Sequence, residues 1–441
     1  MKRKTALLAA TLVIILTVLA GCGGKTASPS PAAEQKPEQK VVQLTFWGGW
    51  TGPDGDVMRD IVKKWNADNP NIQVTLETQQ WTPLFEKFIT ASKAGNQPDI
   101  LAMHGPDIPQ FVELGLLTPL DDIIAQNGLK KEDFATPAWN SNIYKGKLYG
   151  IPLDMHMHGL YYNTDLFKQA GITKAPATGK ELIDAGIKLT VDAKGKHPND
   201  PGFDASNVKQ WGLGMNFNHH GFFQWYALIN QQGDHLLTAD GKKTDFEDAK
   251  GVKAWQFIED LIFKYRIVPP GEQKPFDDFR AGKVAMLIDG PWQLPALESQ
   301  PGLNWDTAPY PTVFDKPAVW GSGHTLTLPV NKNKEKQDAA IKFIVWLEQN
   351  AQLWAKSGNI PAKLSVSGSD DFKKLKGRGG FTTQLPNVVM LPGLVKEAQA
   401  FSASATSPIV QAAQAAMLKN APPNQVNKIL RDGLDSILGS P

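Results

Sequence analysis

Cysteine is almost missing from this chain: Cys22 is the only one in 441 residues. A single thiol cannot build an internal disulfide, so packing and hydrogen bonds must hold the folded body. A surplus of one charge sign is missing too. Lys and Arg number 46 against 44 Asp and Glu, a formal net charge of +2, and no dense basic stripe occurs. That balance excludes nucleic acid as a partner. The sequence has no Gly-x-Ser-x-Gly elbow, no His-Glu-x-x-His pair and no phosphate-cradling Gly-x-x-x-x-Gly-Lys-Ser/Thr loop. It has no tandem repeat of fixed period, and its long apolar run, residues 6–20, is short for a membrane span.

What is present starts with the position of Cys22. A basic start, Met1-Lys2-Arg3-Lys4, precedes the apolar run, which closes on Leu19-Ala20-Gly21-Cys22. A charged segment, an apolar segment and small residues at its end form the layout of a secretory signal. The tetrad resembles the lipobox of bacterial lipoproteins, which implies cleavage before Cys22 and acyl chains on its sulfur. Residues 1–21 are then a signal peptide. Residues 22–40 are a lipidated flexible linker, because their Gly, Ser, Pro, Ala and charged residues include no large apolar side chain. About 400 residues remain, more than one ordinary core, which predicts two lobes.

Periodicity predicts an α/β fold. Residues 41–47 alternate as a strand and residues 56–66 carry apolar positions at helical spacing. A second strand at 72–77, a helix at 83–94 and a third strand at 98–103 continue the rhythm, which predicts a parallel sheet faced by helices. Further on, strands are expected at 151–157, 159–162, 211–217, 284–288 and 324–329, with helices at 178–190, 222–230, 248–264 and 337–349. Residues 192–210 form a polar insertion whose Asp192, Asp200 and Asp204 are too widely spaced for a calcium loop.

Open α/β sheets place ligands at the carboxyl ends of their strands. Read so, Trp47 and Trp50 follow the first strand, His104 and Asp107 the third, and Trp292 the strand at 284–288. Indole faces beside polar side chains suit a sugar, whose ring has an apolar face and a hydroxyl rim. The chain has 13 tryptophans. Trp65, Trp255 and Trp346 lie on helical apolar faces and are expected in the core, while Trp81 and Trp225 are read as wall or core alike. His156-x-His158, His104, His324 and the pair His219-His220 invite a metal, but no acidic residue is spaced in sequence to orient them, so sugar-bonding or solvated roles are expected and no metal or cofactor.

The segments Leu44-Thr45-Phe46-Trp47, Gln97-Pro98-Asp99-Ile100, Glu113-Leu114-Gly115-Leu116-Leu117-Thr118-Pro119-Leu120, Gly146-Lys147-Leu148-Tyr149-Gly150-Ile151-Pro152 and Gly159-Leu160-Tyr161-Tyr162-Asn163 come in a telling order. So do Phe279-Arg280-Ala281-Gly282-Lys283-Val284-Ala285-Met286 and Asp289-Gly290-Pro291-Trp292. Together they resemble the extracellular solute-binding proteins of carbohydrate ABC importers, the group that includes maltose-binding protein, over nearly the whole mature chain.

The resemblance implies a type II periplasmic-binding-protein-like fold, two α/β lobes joined by crossover hinge segments. Lobe 1 is expected at 41–153 plus 307–352, and lobe 2 at 154–306 plus 353–441. It implies a monomeric receptor, lipid-anchored on the outer face of the bacterial cytoplasmic membrane, that delivers a sugar to permease subunits. Trp47, Trp50 and Asp54 are carried onto the first lobe's cleft face, with His104 and Asp107 in a loop beside them. Asp154 and His156 fall at the first crossover, and Trp320 and His324 near the later one. His220, Phe222 and Trp225 match a stretch of the second lobe, with His220 where the family has an acid, and Trp292 matches a stacking tryptophan. The tail stretch 401–408 carries small residues where maltodextrin binders have an aromatic, which leaves the particular sugar open. The alternatives are a binder of a polyol phosphate or metal complex, and a secreted glycoside hydrolase, which would need a pair of opposed carboxyls rather than aspartates in turns.

Overall fold

The computed structural model describes residues 40–271 and 273–440. The expected signal, Cys22 and most of the linker lie outside the described residues. Among the described residues no helix is long and apolar enough to cross a membrane.

Three sheets organise the chain. In the first, Val42–Gly48 lies between Ile72–Thr78 and Ile100–His104 and runs parallel to both. His324–Thr327 and Gly150–Pro152 complete that sheet antiparallel, with Thr325 paired to Met103 on one side and Pro152 on the other. The second sheet has the order Trp305–Pro309, Gly159–Asn163, Val284–Asp289, Val208–Gly214, Val191–Asp192. Between them runs a four-stranded linking sheet of Ile360–Pro361, Asp154–Met157, Val319–Ser322 and Val388–Val389.

The helices form where spacing predicts them, and their ends have local causes. Gly179–Leu189 opens on a capping box in which the Thr178 hydroxyl accepts from Glu181 N and the Glu181 carboxylate accepts from Thr178 N. Asn163 caps Thr164–Gln169 by accepting from Asp165 N and Leu166 N. Trp81–Lys93 begins two residues before the expected start at 83, so Pro83 sits inside the first turn. There its missing N–H costs nothing. The polar insertion is closed by one carboxylate: Asp192 accepts from Lys194 N, Lys196 N and Asp204 N.

The boundary expected at 307 is corrected. Thr307 pairs with Tyr161 in the second sheet, and Thr312 bridges Thr178. The chain rejoins the first sheet only at His324. Neither is 352 the point of departure, because Trp354 packs on Trp50, ring centroids 5.3 Å apart. The stretch around Trp320 is the strand Val319–Ser322, held by Met157 and Val388 on either side.

One motif of the sequence acts through the core of the first sheet. Asp99 is 5% exposed. Its carboxylate accepts from Thr45 N at 2.8 Å, Asn331 Nδ2 at 3.0 Å and Lys336 Nζ at 3.0 Å, tying two neighbouring strands to the helix Lys334–Gln349. Asp99→Ala leaves those donors without a partner, and each buried one costs its desolvation. We expect a loss of about 2–4 kcal/mol, read as a lower urea midpoint with an unchanged slope.

Candidate functional site

Strand direction brings the site together. His104 ends its strand and His324 begins the antiparallel neighbour, so the two face each other in register. His156 sits on the crossover strand two residues after Asp154, on the same face by strand alternation. From the second sheet, the turn after Val284–Asp289 presents Trp292, and the helix His219–Gln231 presents His219, His220 and Phe223. These groups share a cavity of about 720 Å³ with Trp50, Asp54, Trp81, Asp107, Trp320, Ser322 and the tail residues Glu397, Phe401 and Ser404. That size lies within the range of small-molecule sites.

Four indoles form its apolar surfaces. Trp292 is half-buried, with its ring 5.7 Å from both His156 and His220. Trp81 stacks on His324, centroids 5.3 Å apart and planes 20° apart. Trp320 lies flat on Phe223 at 4.0 Å, and Trp50 packs edge-on to His324 at 5.4 Å. Two glycines make room for these rings. A Cβ on Gly49 would stand 1.9 Å from the Trp81 indole, and one on Gly290 would stand 2.1 Å from that of Trp292.

The polar groups are tightly partnered. Asp154 is fully buried, and its carboxylate accepts from His324 Nδ1 at 2.8 Å, Trp354 Nε1 at 2.7 Å, His324 N at 3.1 Å and His156 Nδ1 at 3.2 Å. Burial opposes its charge, yet the His324 and His156 rings hold its pKa below the ordinary carboxylate value. Burial keeps the imidazoles neutral: His156 and His219 fall to about 4, His158 to about 3, and His220 and His324 are lowered as well. His158 and His220 share a hydrogen bond of 2.9 Å between Nε2 and Nδ1. Two carboxyls are pushed the other way. Glu397 is raised well above its usual value by burial and then by Asp107, and Asp54 is raised to about 7 by burial and then by the charge of Asp154. The cavity therefore offers neutral donors and acceptors more than fixed charge.

Of the residues expected at the site, Trp50, Asp54, His104, Asp107, His156, His220, Trp292, Trp320 and His324 line the cavity. Four expectations are corrected. Trp47 points to the opposite face of its strand from Phe46 and fills a satellite core with Phe85, Phe88 and Leu101, with Lys87 Nζ 3.7 Å over its ring. Phe222 and Trp225 lie on the inner face of their helix. Phe222 stacks on Phe401, and Trp225 stacks on Trp255 while its indole N–H donates to Gly251 O. Asp154 lies beneath the cavity wall rather than in it. Sequence reasoning missed Phe223, one helical position past Phe222, and Glu397, for which no signal was available. Trp81 follows the second strand's carboxyl end, so the strand-end rule applied there would have found it.

Two α/β halves sharing one ligand-sized cavity at their crossovers define a solute-capturing protein of the type II periplasmic binding fold. The chain belongs to the family described as bacterial extracellular solute-binding protein, which matches residues 60–380. It is 26% identical over 415 residues to a maltooligosaccharide ABC transporter solute-binding lipoprotein of Streptococcus pneumoniae, covering 89% of this chain and 88% of that one. The maltose/maltodextrin-binding domain from Bdellovibrio bacteriovorus, solved with maltotriose, superposes with a TM-score of 0.76 at 22% identity over 90% of this chain and 99% of its own. An ABC substrate-binding protein from Listeria monocytogenes, solved with cycloalternan, gives 0.76 at 21% identity, covering 91% of this chain and 100% of that one.

Asp54 yields a test of the site's electrostatics. Its pKa rises from 3.8 to about 7 on folding. Between those values the folded chain keeps a proton that the unfolded chain has lost, so stability falls as pH rises through that window and levels off above it. Asp54→Asn removes this dependence. The variant should gain stability over the parent on the order of 2–4 kcal/mol at about pH 8, and far less at about pH 4.5, by urea unfolding at both.

Proposed function

We propose that the chain is a lipid-anchored receptor that captures a carbohydrate between its two lobes and hands it to the permease of an ABC importer. The observation that carries this reading is the pairing of half-buried indole faces with neutral imidazole and hydroxyl groups in one cavity. A pyranose has an apolar face that stacks on such a ring, and hydroxyls that each need a donor and an acceptor, which neutral imidazoles supply. The relative from Streptococcus pneumoniae is named for maltooligosaccharide, and the two solved neighbours hold oligosaccharides.

Each lobe contributes to the cavity, Trp50 and His104 from the first sheet and Trp292 and His220 from the second. A ligand touching both favours the arrangement in which they meet, and that arrangement is what a permease can distinguish from the empty receptor. The receptor acts as a monomer at the outer face of the cytoplasmic membrane. It binds without cleaving, in keeping with a family of solute-binding proteins.

Calorimetry after a thermal-shift screen of mono- and oligosaccharides tests the reading. Trp292→Ala should weaken the best ligand by about 1–3 kcal/mol with little change in stability, and the sugar should be recovered intact. Equal affinity in the variant removes Trp292 from the site, and cleavage products overturn the receptor reading. The anchor is tested separately. Cys22→Ser should move the protein from the membrane fraction to the medium, because a single sulfur carries the acyl chains.

A further inference from the structure

Three histidines meet on the cavity wall, and their surroundings are those of metal ligands. One imidazole nitrogen from each of His104, His156 and His324 lies within 4.8 Å of the others. Modest side-chain rotation closes that spacing to the roughly 3.3 Å edge of a tetrahedron with metal–nitrogen bonds of about 2.0–2.1 Å. Their ring centroids are 4.4 Å apart for His156 and His324, 5.2 Å for His104 and His324, and 5.8 Å for His104 and His156.

Each ring has a carboxylate on Nδ1. Asp107 Oδ2 accepts from His104 at 3.1 Å, Asp154 Oδ1 from His156 at 3.2 Å, and Asp154 Oδ2 from His324 at 2.8 Å. A carboxylate there fixes the tautomer with the proton on Nδ1 and leaves the lone pair on Nε2, the arrangement that orients and strengthens an imidazole ligand. All three of these hydrogen bonds use Nδ1. The expectation that no acidic residue is spaced to orient these rings is corrected: Asp107 and Asp154 stand three and two residues from His104 and His156. Asp107 lies one turn past His104, and Asp154 reaches His324 across the crossover.

We infer that His104, His156 and His324 hold one borderline divalent cation, of the zinc, nickel, copper or cobalt kind. A set of three nitrogens with no carboxylate among the ligands favours these ions over magnesium or calcium. All three rings line the cavity, so the remaining coordination position faces it. It takes water, or a hydroxyl or carboxylate oxygen of the captured solute. This inference stands apart from the identity of that solute.

The test uses chain produced without a histidine tag, stripped with chelator and titrated with Zn²⁺ by calorimetry and with Co²⁺ by visible absorption. One cation per chain and the intense bands of a four-coordinate cobalt site are expected. His324→Ala and His104→Gln should each weaken binding by about 100-fold or more, and Asp107→Asn, which does not touch the ion, by about 10–100-fold. His235→Ala, at an exposed ring beside Asp234 and Asp245, should leave binding unchanged. Far-ultraviolet circular dichroism checks that the variants are folded, and His104→Gln keeps the test open should His324→Ala not fold. Absence of binding tighter than about millimolar overturns the inference, as does binding that survives His104→Gln and is lost in His235→Ala. A sugar-induced thermal shift in the stripped protein reports on carbohydrate capture alone, so failure of either reading is visible without the other.

Discussion

A single buried carboxylate ties the two crossovers of this protein together. Asp154 has no exposed surface, and its donors come from the first crossover (His156), the later crossover (His324, through backbone and ring) and the segment beyond the long helix (Trp354). An ion in such a place is tolerated only when nearly every lone pair has a donor. The same bonds that satisfy it set the direction of two cavity imidazoles and hold the crossovers side by side. Loss of any one partner would leave charge buried without compensation, so the hinge region and the binding wall cannot vary independently.

The indoles show a second kind of constraint, exerted by small residues. Trp81 and Trp292 lie directly on the backbone of Gly49 and Gly290, where no Cβ fits. Flat rings seated against main chain have few alternative rotamers, so little freedom remains to be lost when a ligand stacks on them. Their exposed faces are presented rather than recruited. The neutral imidazoles beside them are similarly fixed, through His158 to His220 and through Asp154 to His156 and His324.

Much of this was legible in the sequence, and the exceptions have physical reasons. Strand and helix positions followed from periodicity, because each element buries one face. The fold class and the family followed from motif order. Which side chain at a strand end reaches the cavity did not follow, since strand alternation and the path of the turn decide it together: Trp47 turned inward and Trp50 reached the site. A helix adds the same uncertainty of phase, which placed Phe223 at the wall and Phe222 and Trp225 in the core. The boundary near 307 was misjudged because Trp305–Pro309 reads as a strand of either sheet until its partner, Gly159–Asn163, is known. Glu397 and the reach of Asp154 to His324 are contacts between distant segments that no local pattern announces, whereas Asp107 and Asp154 stand only three and two residues from His104 and His156.

The route of the chain through its sheets has a consequence for how the protein is made. Thr325 pairs with Met103 and Pro152, so the first sheet cannot close until most of the polypeptide exists. Pairings of such long sequence separation form slowly, because the entropy of the intervening loop is lost before any contact compensates. An emerging chain therefore stays open for most of its synthesis. The family is extracellular, and for a member that crosses a membrane before it folds this delay is an advantage that comes from strand order alone.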